Sequence, residues 1–172
     1  PRGEDLAALV TPRHGPAAAG CDECSEFIAS VSKVKPVVSY AAGNMQSAAY
    51  WLGSAGARVY ASRTSFVGSI GVFTVAFDRS KQLENDGIKV KVVRSGKWKG
   101  LGTGLEPFTD EYLESVQAKV DQLNAVFEER VAVNLGVPRS QVSSRMGQGR
   151  EFLGAEAVEV GLIKAVATSQ EA

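Results

Sequence analysis

A short basic cluster, formed by Arg94, Lys97 and Lys99 around Gly96, contains residues that could act as general bases. A lysine with its reference pKa of about 10.4 is protonated at neutral pH, so it serves as a base only where burial and neighbouring cations lower that pKa to roughly 7–8. Such a shift costs about 4 kcal/mol and requires a rigid scaffold around the amine. Taken alone, the cluster is more typical of the solvated end of a strand.

The histidine and the two cysteines offer weaker chemistry. His14 could be the base of a Ser-His-Asp hydrolase, but the sequence has no Gly-x-Ser-x-Gly turn to present the serine. We therefore interpret His14 as a surface or loop histidine. Cys21 and Cys24 form a Cys-x-x-Cys pair, whereas a tetrahedral zinc site needs four ligands and no second pair follows. Because both thiols fall on the apolar side of a predicted helix, we interpret them as small buried hydrophobic residues.

A glycine-rich loop follows the basic cluster, with glycines at Gly100, Gly102 and Gly104. It resembles a phosphate-binding loop only superficially, because it lacks the Gly-Lys-Ser/Thr ending and does not run into an obvious helix. We interpret it as a flexible loop beside a functional site. The sequence therefore predicts no cofactor and no metal ion.

Composition and charge exclude several classes of protein. The chain has 172 residues, and its 19 Lys plus Arg balance 19 Asp plus Glu, which argues against a nucleic-acid-binding protein. No apolar run approaches the ~18–20 residues of a membrane span, and two cysteines cannot build a disulfide scaffold. We predict one domain over residues 1–172, with an irregular lead-in over residues 1–17. Because the chain begins at Pro1 without Met, we expect it to be a fragment of a longer chain.

Strand and helix signals alternate along the chain. Short apolar runs predict strands at residues 6–10, 37–40, 59–61, 66–73, 88–93 and 162–166. Helical spacing predicts helices at residues 18–31, 46–57, 78–85, 109–135 and 155–160. Thr109 is the expected N-cap of the longest helix, and Gly136 and Pro138 should end it. This alternation predicts an α/β fold with βαβ crossover helices.

Three segments, in this order and spacing, resemble the signal peptide peptidase A family of serine proteases. Residues 44–51 (Asn-Met-Gln-Ser-Ala-Ala-Tyr-Trp) are similar to the segment that carries the family's nucleophilic serine. Residues 67–72 match its Gly-Ser-Ile-Gly-Val run, with Ser69 placed 22 residues after Ser47. Residues 95–99 are similar to its Gly-x-(aromatic)-Lys segment. The resemblance covers residues 19–166, including the closing helix and strand.

The resemblance implies a Ser-Lys dyad, which needs no histidine. Ser47 would be the nucleophile at the start of its helix, where the backbone N–H of Ala48 would contribute to the oxyanion hole. Lys99, which directly follows an aromatic residue, falls on the position of the general base, and Lys97 does not. Ser69 would form a hydrogen bond with the lysine amine and orient it.

One segment departs from the family's pattern. Members carry Ser-Pro-Gly-Gly at the end of a strand, and a glycine N–H there supplies the second oxyanion donor. Residues 11–16 read Thr-Pro-Arg-His-Gly-Pro instead. Gly15 is the candidate donor, but Pro16 has no N–H, so this half of the oxyanion hole departs most from the family. The strands that normally precede this point are missing or shortened.

The family also implies a fold, partners and a location. The fold would be Clp-protease/crotonase-like, a β-sheet core with crossover helices and one long helix near the C-terminus. Members assemble as homo-oligomeric rings or domes, with active sites shared between subunits. They bind extended peptides, such as signal-peptide remnants, as added strands. An anchor outside this chain would place the protein at a bacterial membrane or on its extracytoplasmic face. No nucleic-acid partner is expected.

Two alternatives stay open at this stage. Head-maturation proteases of tailed phages share the serine and lysine segments and would act in the cytoplasm. The altered stretch at residues 13–16 also suits a catalytically impaired relative that binds peptides or acts as a scaffold.

Overall fold

The computed structural model describes residues 6–8 and 18–172. The chain divides into two compact units. The first consists of two segments, one that ends at Val72 and one over Leu123–Ala172, and the second is Phe73–Gln122. In chain order the elements are β1 (Leu6–Ala8), α1 (Cys21–Val34), β2 (Val37–Ala41), β3 (Met45–Gln46), α2 (Ala48–Gly53), β4 (Arg58–Ala61), β5 (Phe66–Gly68), α3 (Ser80–Asn85), α4 (Asp110–Leu135), α5 (Arg139–Gln141), a π-helix (Val142–Met146), β6 (Glu151–Leu153), α6 (Gly154–Val160) and β7 (Ala165–Val166).

Two small sheets organise the first unit. One has the order β1-β2-β4-β7, and all of its strand pairs are parallel. The other has the order β3-β5-β6, with β3 parallel to β5 and β6 antiparallel to β5. Parallel neighbours must be joined by crossovers, and α1 and α2 lie in the chain between strands that pair in this way. The predicted α/β class with crossover helices is confirmed.

The core of the first unit anchors α2 through two consecutive aromatic residues. Trp51 stacks on Phe127 of α4 with ring centroids 4.3 Å apart, and both side chains are buried. Tyr50 is fully buried, which raises the pKa of its hydroxyl, and this hydroxyl donates to the Leu162 carbonyl at 2.7 Å. Helix α2 is therefore held both by α4 and by the segment that leads into β7.

A buried polar cluster ties the same helix to its neighbours. The hydroxyls of Ser25 and Ser54 each donate to the carbonyl of Trp51 at 3.0 Å. The side-chain amide of Asn134 in α4 donates to both hydroxyls at 2.9 Å. A carbonyl near the C-terminal end of α2 thus has partners where the helix itself provides none.

An ion pair joins α1 to α4. Arg130 donates from Nε to Asp22 Oδ1 at 2.7 Å and from Nη2 to Asp22 Oδ2 at 3.0 Å. This two-pronged geometry is the strong form of the arginine–carboxylate pair. The hydrogen bond from Arg130 lowers the pKa of Asp22 and raises that of the guanidinium.

The second unit has almost no interior. Within residues 73–122 only Gly104 is buried, and none of the residues of α3 is. The carbonyl of Gly104 accepts the N–H of Arg79 at 2.9 Å, which joins the glycine-rich loop to the start of α3. Residues 88–93 form no strand, so that prediction is wrong, because a strand requires a partner and the apolar side chains here stay largely exposed.

The predicted helices are present with shifted ends. Thr109 accepts the N–H of Tyr112 through its hydroxyl at 3.2 Å, and Gly136 follows α4 with a left-handed φ of 66°, as expected for a cap and a stop. The helix predicted at residues 46–57 begins only at Ala48, because Met45 and Gln46 pair as β3. The strand predicted at residues 66–73 ends at Gly68.

The interpretation of the two cysteines is half wrong. Cys21 is buried, but Cys24 is exposed, because the buried side of α1 is marked by Cys21 and Ser25 and Cys24 lies to one side of it. Burial, with Cys24 nearby, raises the pKa of the Cys21 thiol. A redox-active pair requires the opposite shift.

Truncation of the stacked ring should test the core. Phe127→Ala should lower the free energy of unfolding by about 3–5 kcal/mol, because it leaves a cavity against Trp51. Val126→Ala, on the exposed side of the same helix, should change it by less than about 1 kcal/mol. Denaturant unfolding measures both, and equal losses in the two variants would contradict this account of the core.

The Asp22–Arg130 pair should make stability depend on acidity. Since the pKa of Asp22 is lowered on folding, the pair stabilises the fold above the unfolded-state pKa of ~3.9, and this contribution disappears as the pH falls through the lower folded value. Asp22→Asn should cost about 1 kcal/mol at pH 7 and little at pH 2. Urea unfolding at both values is the measurement, and a pH-independent cost would refute the expectation.

Candidate active site

Ser47 occupies a sharp turn from a strand into a helix. It lies between β3 and α2, with φ 53° and ψ −126°, and its side chain is exposed. A non-glycine residue with such angles carries strain of about 1–3 kcal/mol, which persists only where the surroundings hold it. A strained serine between a strand and a helix is also how α/β-hydrolases expose their nucleophile. The turn therefore presents a serine hydroxyl to solvent on a short, rigid connection.

The start of α2 offers donors next to this hydroxyl. The carbonyl of Ser47 accepts the N–H groups of Tyr50 and Trp51, each at 2.9 Å. The first N–H groups of a helix have no acceptor within the helix, and the N–H of Ala48 is the first of α2. Such donors can stabilise negative charge that develops on a reacting oxygen.

Ser69 lies beside Ser47 across a strand pair. Strands β3 and β5 pair in parallel with Gln46 opposite Gly68, and the N–H of Ser47 donates to the Gly68 carbonyl at 2.8 Å. Ser69 follows Gly68 directly, is half-buried, and has the same φ of 53° as Ser47. The structure therefore brings together two residues that the sequence places 22 positions apart.

The turn at Ser69 rests on the loop before β6. The N–H of Ser69 donates to the Arg150 carbonyl at 2.7 Å, and the N–H of Gly149 donates to the Ile70 carbonyl at 2.9 Å. Gly68 has φ 102°, and a Cβ there would lie 3.2 Å from the Arg150 carbonyl oxygen. Only glycine satisfies both the backbone angle and the close approach.

Lys99 belongs to the second unit and is exposed. Its two cationic neighbours are engaged: Arg94 pairs with Glu106, and Lys97 pairs with Glu111. Among residues 18–172, no carboxylate lies within ion-pair distance of the Lys99 amine. Of the three cations in the basic cluster, Lys99 is thus the one whose amine is not committed to a carboxylate.

The remaining candidates fall in two places. His14, Gly15 and the altered stretch at residues 13–16 lie outside the described residues. The glycine-rich loop forms turns in which Gly100, Gly102 and Gly104 all have positive φ. It borders an open cavity of about 290 Å³ in the second unit, whose lining includes Arg79, Thr103 and Tyr112.

Sequence reasoning missed the residues that support the two serines. Gly149 and Arg150 hold the Ser69 turn through their backbone, and α5, the π-helix and β6 were not predicted. The available signal was the pair of glycines at Gly147 and Gly149, which marks a tight turn. That signal does not reveal which distant segment the turn will contact.

An exposed serine on a strand-to-helix turn is an arrangement also found in serine hydrolases. The sequence profile of Peptidase family S49 matches residues 29–172, and the chain belongs to this family. The resemblance to signal peptide peptidase A is thereby confirmed, since chloroplastic serine protease SPPA of Arabidopsis thaliana is 27% identical over 137 residues, covering 79% of this chain and 20% of the relative.

Two phage proteins are also similar to this chain. Capsid assembly protease C of Escherichia phage lambda is 29% identical over 167 residues, covering 97% of this chain and 37% of the relative. Head-tail preconnector protein GP5 of Enterobacteria phage P21 is 28% identical over 158 residues, covering 92% and 31%. The chain thus spans about a third of the length of these two relatives. Within the described part of the chain, none of the helices has both the length and the apolar character needed to cross a membrane.

Replacement of Gly68 should damage the turn that holds both serines. Gly68→Ala introduces a Cβ 3.2 Å from a backbone oxygen at an unfavourable φ, which should cost about 1–3 kcal/mol in stability. Gly43→Ala is the control, because nothing lies within 4 Å of a Cβ at that position and its φ is not in the left-handed range. Thermal unfolding of both variants is the measurement, and a Gly68→Ala protein as stable as Gly43→Ala would contradict the assigned geometry.

Proposed function

We propose that this chain is the catalytic part of a serine endopeptidase in which Ser47 is the nucleophile and Lys99 the general base. The observation that carries the proposal is the strained, exposed position of Ser47 between β3 and α2, in a chain that belongs to a peptidase family. The uncommitted amine of Lys99 supports the second assignment.

The proposed reaction is acyl transfer in two steps. The neutral Lys99 amine takes the hydroxyl proton of Ser47 while the serine oxygen attacks the peptide carbonyl. The tetrahedral intermediate collapses, the C–N bond breaks, and the leaving amine takes the proton from Lys99. A water molecule, deprotonated by the same amine, then attacks the ester carbonyl of the acyl-enzyme. The ester C–O bond breaks, the Ser47 oxygen takes the proton back from Lys99, and the carboxylic acid product leaves.

The oxyanion hole in this proposal has one donor in the described part of the chain. The N–H of Ala48 lies next to the serine and has no helical acceptor, so it suits the charge that develops on the carbonyl oxygen. We assign the second donor to Gly15, as the family resemblance implies.

Ser69 supports the lysine in this proposal. The Ser47 N–H donates to the carbonyl of Gly68, the residue before Ser69, so the two serines are neighbours across β3 and β5, and we place the Lys99 amine between their hydroxyls. In this arrangement the Ser69 hydroxyl oxygen accepts a hydrogen bond from an N–H of the neutral amine, which leaves the single nitrogen lone pair free to face the Ser47 hydroxyl. Lys99 of the same chain or of an adjacent subunit could fill this place.

We further propose that the protein acts as a homo-oligomer with the Clp-protease/crotonase-like fold, and that residues 1–172 form one peptidase domain. The second unit supports this, because Phe73, Phe77 and Val93 are 85%, 68% and 89% exposed. A unit without an interior needs a partner to cover its apolar side chains. A second copy of the chain would provide that cover, and Lys99 of one copy would then reach Ser47 of the other.

The proposed substrates are extended peptides, in particular signal-peptide remnants or membrane-associated peptides. The zero net charge of the chain suits an apolar peptide better than a charged polymer. Any association with a membrane would come from a segment outside this chain.

A phage head-maturation protease is the second candidate function. It is favoured by the 29% identity to capsid assembly protease C, which extends over 97% of this chain. Both candidates use the same serine and lysine, so the genes beside this one distinguish them: capsid genes favour the phage function.

The dyad has a direct mutational test with a matched control. Ser47→Ala and Lys99→Ala should each reduce peptide cleavage by at least about a thousandfold, because nucleophile and base act as a unit. Lys97→Ala should retain most of the activity, because that amine is paired with Glu111. The measurement is the cleavage rate of a fluorogenic peptide, with light scattering to show that the assembly survives. Normal activity of Lys99→Ala would overturn the assignment.

Labelling of the active site distinguishes a working peptidase from a catalytically impaired scaffold. A serine-reactive fluorophosphonate should label the assembled protein at Ser47 and leave Ser47→Ala unlabelled. Absence of labelling in an intact oligomer would count against the peptidase and favour the scaffold.

A further inference from the structure

We propose that Arg150 is a positioning residue for the Ser69 turn and, through Ser69, for the catalytic lysine. The inference rests on the proposed Ser-Lys mechanism, in which Ser69 orients the Lys99 amine. It assigns a role to a side chain that does not itself reach the reacting atoms.

The backbone of Arg150 holds Ser69 at a point where the pairing between strands has already ended. Strand β5 ends at Gly68 and β6 begins at Glu151, so the bond from the Ser69 N–H to the Arg150 carbonyl lies just beyond the paired residues. Ser69 has a left-handed φ of 53°, which is strained for a residue with a side chain and must be maintained by its surroundings. The position of the Arg150 carbonyl therefore decides where Ser69 lies.

The side chain of Arg150 fixes that carbonyl in turn. Its Nη2 donates to the carbonyls of Arg145 at 2.6 Å and Ser144 at 3.2 Å. Both carbonyls belong to the last turn of the π-helix, where intrahelical donors run out. The guanidinium also lies over the ring of Phe152, 5.3 Å from its centroid. The arginine thus joins the loop before β6 to the end of the π-helix.

The π-helix is itself rigidly attached to α4. Val142 and Met146 are fully buried in the core. The hydroxyl of Ser143 donates to the Glu128 carboxylate of α4 at 2.6 Å, and Glu128 is only 3% exposed. A continuous series of contacts therefore runs from α4 through the π-helix and Arg150 to the Ser69 turn.

The Arg150 side chain should affect the rate of catalysis more than the free energy of unfolding. Arg150 is exposed, and hydrogen bonds of exposed groups contribute little to the free energy of unfolding because water replaces them. A small displacement of a catalytic group, in contrast, can reduce the rate strongly. Loss of the side chain should therefore lower kcat far more than it lowers the melting temperature.

The kinetic experiment compares Arg150→Ala with Arg63→Ala on the assembled protein. Arg63 is an exposed arginine of the Ser62–Ser65 turn with no side-chain hydrogen bond among residues 18–172, so its loss controls for the change in charge. Arg150→Ala should lower kcat about tenfold with KM within about twofold, and Arg63→Ala should leave both unchanged. A normal kcat for Arg150→Ala, or an equal loss in Arg63→Ala, would overturn the proposal.

A double-mutant cycle tests whether the effect passes through Ser69. In a Ser69→Ala background, Arg150→Ala should lower kcat by less than about twofold, because the residue it positions is already gone. The full tenfold loss in that background would show that Arg150 acts by another route. Should Arg150→Ala fail to fold, Arg150→Lys carries the same expectations, since an ammonium lacks the planar fork.

Amide exchange tests the support independently of catalysis. In a Ser47→Ala background, Arg150→Ala should speed exchange of the Ser69 amide by about tenfold, while the amide of Val67 in β5 keeps its protection. Unchanged exchange at Ser69 would overturn the positioning role even if the dyad is correct. Cleavage by Ser47→Ala protein would refute the proposed dyad and leave this measurement valid.

Discussion

The peptide unit between Gly68 and Ser69 is the constraint on which the site depends. Its carbonyl accepts the N–H of Ser47, and its own N–H donates to the Arg150 carbonyl. Because a peptide unit is planar, these two hydrogen bonds cannot be adjusted separately. Strand β3, strand β5 and the loop before β6 are thereby aligned at one rigid group, and the two serines take their relative positions from it.

Strain at this point is offset by burial immediately beside it. Ser47 has unfavourable backbone angles, and the residues three and four positions later, Tyr50 and Trp51, are among the most deeply buried in the chain. Their contacts with Leu162 and Phe127 hold α2 in place, so the turn that precedes it cannot relax. The buried residues of α2 thus stabilise the fold, while Ser47, directly before this short helix, stays exposed.

The two units contribute in different ways. The first contains the described apolar core and both serines, whereas the second carries the proposed base on turns with almost no buried residue. Apolar side chains such as Phe73 and Val93 stay exposed in the second unit, and the proposed oligomer would cover them. The proposed mechanism therefore combines serines held by a packed core with a base held on exposed turns.

Local signals in the sequence were sufficient for most of the helices and for the family. The cap at Thr109 and the stop at Gly136 are set by neighbouring residues, and the serine and lysine segments are continuous in the chain. The strand predicted at residues 88–93 was wrong because a strand exists only through its partner, which periodicity cannot supply.

What the sequence by itself determined is therefore the α/β class, the approximate positions of most helices and the candidate residues Ser47, Ser69 and Lys99. Only the tertiary structure decided that β3 and β5 pair, that both serines adopt φ 53°, and that Arg150 supports one of them. The physical reason is that helices and their caps arise from contacts within a few residues. Strand pairing and the support of a strained turn arise from contacts across most of the chain.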